Sequence, residues 1–256
     1  MCRSLNYCYL CIVTYNFVVM GNVENISHNM TIEPNGFGQY NHKVVNYLLA
    51  SVQSLMGNYA KDEKQCFILH RDDGPMCCSV GNYHIIFLHA HDNYWCQWVY
   101  QFAHEYCHHI IDGKMTGELG GLMWFEETLC ELCSMYCLHH FVNWCENNPL
   151  PRQYAPSVRE YLAQLTSGQL CADHLRDYIS QNLDLLSSPD YQRGIYKRIA
   201  ATILPSFVAC PDLWRIIPLI GDSSQWLKLD ELFQHFEAEL SPTLPALSLL
   251  RQMVVG

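Results

Sequence analysis

The chain has 256 residues, half of them apolar and 16% charged, and its 15 basic and 25 acidic side chains give a formal net charge of −10. That length and apolar share fit one large domain with a substantial core, with or without a small appendage. The acidic balance, with no basic run to meet phosphates, excludes nucleic acid as the main partner and mildly favours neutral or basic substrates.

Residues 1–40 read as a leader or irregular arm. Met1 to Met20 holds one Arg and then a mostly apolar run. It is too short and too interrupted by Asn for a stable membrane span, and it has the outline of a weak signal peptide. The 14 cysteines show no disulfide framework in their spacing, which favours a reducing compartment, and a cytoplasmic location is expected. Residues 21–40 are polar and turn-rich and read as loop.

Residues 41–256 read as the folded domain. His42 to Met56 has helical spacing, and Gly57-Asn58-Tyr59 ends it. Gln65 to His70 is a short apolar strand, Arg71 to Gly74 a turn, and Tyr83 to Leu88 a second strand, so a small sheet is expected within 60–90. His89 and His91 follow and read as capping or surface polar residues.

Trp95 to Ile111, WCQWVYQFAHEYCHHII, is the chemically informative stretch. Trp95, Trp98, Val99, Phe102, Tyr106 and Ile110 recur at helical spacing and predict a helix with an apolar face. His104-Glu105-Tyr106-Cys107-His108 is an H-E-x-x-H. Residues four apart share a helix face, so His104 and His108 can offer two imidazoles to one metal ion, with Glu105 beside them toward metal-activated water. His109 points about 100° away from His108 on a helix. Asp112-Gly113 is a stop signal, and the glycines to Gly121 make a flexible connector.

A catalytic zinc ion usually has three protein ligands and one open position. Eighteen residues separate His108 from Glu127, which lies in the helical sequence LMWFEETLCELCSMYCL, with Glu131 one turn on. Glu127 can complete a His-His-Glu set, and Glu131 can accept a hydrogen bond from a ligand imidazole and fix its tautomer. Phe125, Leu129, Leu132 and Tyr136 supply the apolar side. Cys130, Cys133 and Cys137 read as small buried apolar residues, Glu126 as a solvated carboxylate, and His139-His140 as the end of this helix.

These pieces resemble the gluzincin metallopeptidases, most closely the M1 aminopeptidase catalytic domain. Trp124-Phe125-Glu126-Glu127 stands where that family has W-L-N-E. Ser187 to Gly194, SSPDYQRG, resembles its S-x-x-x-Y-x-K-G segment, whose tyrosine stabilises the tetrahedral intermediate. The resemblance, over roughly residues 40–210, implies one Zn2+ held by His104, His108 and Glu127, Glu105 as general base, and Tyr191 as oxyanion donor. It also implies a sheet-edge strand that pairs with an extended peptide, for which Tyr83, His84, Ile85 and Ile86 are the candidates. The family's G-x-M-E-N reads Gly74-Pro75-Met76-Cys77-Cys78 here. A thiol cannot replace the carboxylate that holds a substrate's free amino group, so aminopeptidase and endopeptidase action both stay open.

The remainder is helical: Val158 to Leu165, Cys171 to Leu186, Tyr191 to Leu204 and Leu227 to Leu240 have helix-like spacing, with Pro211, Pro218, Pro242 and Pro245 at boundaries. The expected fold is α+β and mostly α, a thermolysin-like (gluzincin) catalytic domain. A small N-terminal sheet at 60–90 lies over a helical body, with zinc helices within 95–142 and a C-terminal helical part at 150–256. The expected function is zinc-dependent hydrolysis of peptide bonds in a peptide or protein substrate. The alternative is a catalytically silent, zinc-containing peptide-binding or scaffold protein on the same fold.

Overall fold

Short β-prone runs near the N-terminus and long apolar helical runs after them produce an α+β protein that is mostly helical. A computed structural model describes residues 23–60, 64–80, 83–111, 121–148, 151–188, 190–221, 226, 228–240 and 244–256. The chain divides into two compact units, residues 1–117 and 118–256. The leader and the Gly113–Gly120 part of the connector lie outside the described residues, and so do the Asp112-Gly113 stop and Pro242.

The first unit is built on a five-stranded mixed sheet: β1 (Glu24–Ser27), β2 (Met30–Ile32), β3 (Gln65–His70), β4 (Met76–Val80) and β5 (Tyr83–Leu88), in the order β1-β2-β3-β5-β4. β2, β3 and β5 run parallel, with Met30 opposite Cys66 and Gln65 to His70 opposite Tyr83 to Leu88. β1 and β4 pair antiparallel at the two edges. Helix α1 (His42–Met56) makes the β2-to-β3 connection that two parallel strands require. Asn41 caps it, its side chain accepting from the Val44 amide at 3.3 Å. Val45, Leu48, Leu49, Val52 and Met56 form its buried stripe.

β3, β5, α1 and the Gly57–Tyr59 turn lie where the apolar patterns predict them. Two departures matter for function. The turn-rich segment 21–40 is not all loop: Glu24–Ser27 and Met30–Ile32 form strands, because Met30 and Ile32 are buried beside β3. Three or four residues are too few to carry a readable alternation. The candidate edge at Tyr83, His84, Ile85 and Ile86 is corrected as well. β5 is flanked by β3 on one side and β4 on the other, so its backbone groups are already paired, and among the described residues the outer strand on that side is β4. The Cys77-Cys78 pair therefore stands on an edge strand.

The helix that carries the H-E-x-x-H, α2 (Trp95–Ile111), has the expected bounds, and His104, Glu105 and His108 are buried along with its apolar face. Trp98 lies at its core-facing start, its ring 4.7 Å from Phe37 and 5.1 Å from Tyr40, with the indole N–H donating to the Asp92 carbonyl at 3.0 Å.

The second unit is helical: α3 (Met123–Asn147), α4 (Ala155–Thr166), α5 (Leu175–Gln181), α6 (Leu183–Leu186), α7 (Arg193–Ala209), α8 (Ile217–Ile220), α9 (Leu229–Leu240) and α10 (Ala246–Val254). α3 is buried along most of its length and runs two turns beyond the expected end. His139 and His140 thus lie inside the helix, where His140 packs on Tyr136 at 4.6 Å and burial holds its imidazole below the ordinary pKa. From Trp124 to Leu138 the helix is buried nearly all round and shows no polar stripe, and exposed positions appear only in its last turns, so the pattern does not mark its end. The stretch 171–186 is a short 3-10 turn followed by α5 and α6. Among the described residues no single helix is long and apolar enough to cross a membrane.

Candidate metal centre and catalytic residues

His104 and His108 occupy one face of α2 in the first unit, their rings 5.3 Å apart. The spacing is the direct result of one helical turn. Glu105 sits between them in sequence, and all three are buried. His109 is held elsewhere: its ring is edge-on to His84 of β5 at 4.4 Å and stacked on Tyr106 at 4.9 Å. Rotation by about 100° per residue sends it toward the sheet.

The edge strand β4 stands beside the motif. The Cys77 thiol is raised well above its usual pKa, first by burial and next by the negative charge of Glu105, with His108 opposing. Cys77 is therefore an uncharged group next to the H-E-x-x-H residues and offers no negative charge to an ammonium.

In the second unit, α3 carries Glu127 and Glu131. Glu131 is fully buried, and its Oε1 accepts from Arg193 Nε at 2.8 Å. Glu126, expected to be solvated, is buried as well. Glu127 is half-buried, and its Oε2 accepts from the Tyr191 hydroxyl at 3.1 Å. Tyr191 precedes α7 by two residues and is 46% exposed, with its ring edge-on to Tyr196 at 5.2 Å. Its hydroxyl is held far above the ordinary tyrosine pKa, first by desolvation and then by the charges of Glu127 and Glu131. At neutral and moderately alkaline pH it is a proton-bearing donor. Residues 64 apart in sequence meet through a hydrogen bond.

Cys130, Cys133 and Cys137 are buried on α3. Cys137 is pushed well up, first by burial and then by its contact with Cys133. Gly194 opens α7 with nothing within 4 Å of where a Cβ would lie. Gly194→Ala is thus expected to raise stability by up to about 1 kcal/mol by lowering unfolded-state entropy. A thermal melt checks it, and a lower Tm would mean that the glycine serves a conformation absent from this structure.

One group of potential ligands was not singled out from the sequence. His70, Asp72, His89 and His91 bring one ligand atom each within 4.8 Å of one another. A His at the end of one strand and His-x-His at the end of the next was the available signal. It became visible only once β3 and β5 were known to be parallel neighbours in register.

Compared with known proteins, the chain matches no family model, no curated protein and no solved structure.

Proposed function

We propose that this chain is a zinc-dependent peptidase of the gluzincin type, with a thermolysin-like arrangement of its catalytic elements. The observation that carries the reading is the Tyr191–Glu127 hydrogen bond of 3.1 Å. Glu127 was named as a ligand from its place on the second helix, and Tyr191 as an oxyanion donor by the resemblance and its spacing from Glu127; those roles need the two side chains close together.

His104, His108 and Glu127 would hold one Zn2+. Two imidazoles one helical turn apart, with rings 5.3 Å from each other, and a carboxylate are a fitting donor set. When bound, the ion supplies Lewis acidity, which lowers the pKa of water from about 16 to about 7 and polarises a carbonyl. Glu105 then takes a proton as general base and returns it to the leaving amine. The Tyr191 hydroxyl donates to the carbonyl oxygen as negative charge develops on it. Arg193 neutralises and orients the buried Glu131, which keeps this end of α3 in place beside Tyr191.

An extended peptide could join the sheet at its outer strand among the described residues, β4 at Met76–Val80, next to the residues of the motif. Because Cys77 and Cys78 stand where an amine-binding carboxylate is expected, nothing at those two positions requires a free substrate N-terminus. The same feature favours the second reading, a zinc-bearing peptide-binding protein without turnover.

Digestion of a diverse peptide mixture by the zinc-loaded chain, read by mass spectrometry, separates the two. Cleavage is expected, to be lost on chelation and restored by zinc, and the cut positions decide between terminal and internal action. Peptide capture with no cleavage would establish the binding reading instead.

A further inference from the structure

We propose that His70, Asp72, His89 and His91 form a second site for a divalent transition-metal ion of the zinc class. None of its four residues belongs to the H-E-x-x-H motif.

The site follows from strand register. β3 and β5 are parallel neighbours, with His70 opposite Leu88, so both strands end at the same level. His89 then leaves β5 with its ring 6.1 Å from that of His70, and His91, two residues on, brings its ring within 4.7 Å of His70. Asp72 comes from the turn that follows β3. The carboxyl ends of parallel strands are where ligand sites collect in open sheets.

The distances suit a tetrahedral ion. His70 Nε2 and His91 Nε2 are 3.3 Å apart, and His70 Nε2 is 3.9 Å from Asp72 Oδ1. Around an ion with bonds of 2.0–2.1 Å, two tetrahedral nitrogens sit about 3.3 Å apart. The rings of His89 and His91 are 5.0 Å apart, and those of His70 and His91 are 4.7 Å apart.

Two further features set these groups up as ligands. His89 Nδ1 lies 3.1 Å from the Arg71 carbonyl. A proton on Nδ1 donated there leaves Nε2 with its lone pair, the tautomer arrangement found behind most metal-binding imidazoles. His70 is backed by Gly36, whose φ is +91° and where a Cβ would come 2.7 Å from His70 Nδ1. Only a glycine lets the loop close over that ring. The Arg71 guanidinium is drawn aside to Asp73 at 3.6 Å and to the Met76 sulfur at 3.2 Å. Three imidazoles and one exposed carboxylate suit Zn2+, Co2+ or Cu2+ rather than Mg2+ or Ca2+. The ion would tie the ends of β3 and β5 to the chain that enters α2.

The probe is Co2+ alone, titrated into the metal-free full chain and followed by metal content and visible absorption. Two equivalents are expected, and one remains in His104→Ala/His108→Ala with the strong bands of tetrahedral Co2+. His89→Ala/His91→Ala loses that equivalent. Asp72→Asn, at an exposed position that leaves folding intact, weakens it at least tenfold. Wild-type levels of Co2+ in both the His89/His91 and Asp72 variants would overturn the proposal, as would a wild-type chain that takes up a single equivalent lost with His104 and His108. The readout is metal rather than cleavage. Two equivalents without turnover would therefore sink the peptidase and leave this site standing.

Discussion

Glu105→Gln is expected to lower kcat on cleaved peptides by about 10²–10⁴-fold, the usual worth of a positioned general base, while zinc content stays at the wild-type level. Gln keeps the shape of the side chain in its buried place on α2 but cannot accept a proton. It is no ligand in the proposed set, so the metal has no reason to leave. Stability should be close to wild type, since an amide can hydrogen-bond where a carboxylate did. Kinetics and metal analysis on one preparation decide the matter. Loss of zinc together with activity would make Glu105 a structural residue, and retained activity would remove it from the mechanism.

Tyr191→Phe is expected to lower kcat by about 10²–10³-fold with little change in KM, the signature of an interaction made in the transition state. The hydroxyl donates to Glu127 at 3.1 Å, and the proposed mechanism redirects that donation to the substrate oxygen. Its pKa lies far above the ordinary tyrosine value, through desolvation first and then Glu127 and Glu131, so the free hydroxyl does not ionise near neutral pH. The mutant's pH profile should therefore keep the wild-type shape at reduced height. The ring's contact with Tyr196 survives, so the folded state is preserved. A raised KM at unchanged kcat would recast Tyr191 as a substrate-binding residue.

These two expectations rest on different kinds of legibility. Glu105 and its flanking histidines could be read from spacing, because a helix converts a separation of four into a shared face. Tyr191 could be named only through the likeness of SSPDYQRG to a family segment, and its proximity to Glu127 depends on how α7 packs against α3. Glu131 was expected to support an imidazole. One partner it has is Arg193, which no local pattern on α3 could disclose.

The sequence by itself determined the elements with strong periodicity: α1, α2, β3 and β5, and the one-turn pairing of His104 with His108. Apolar spacing is a local property, and these segments are long enough or alternate clearly enough to show it. Tertiary structure alone decided strand order. Tyr83 to Leu88 is an interior strand and Met76 to Val80 the edge, because hydrogen-bond pairing joins segments whose sequences carry no mark of their neighbours. It also decided burial on α3, where Glu126 is covered and Phe141, Val142 and Cys145 carry the buried face on past His140. The gathering of His70, Asp72, His89 and His91 was decided the same way. Register between parallel strands sets which residues share an end of the sheet, and register is fixed by packing across the chain rather than by any single stretch of it.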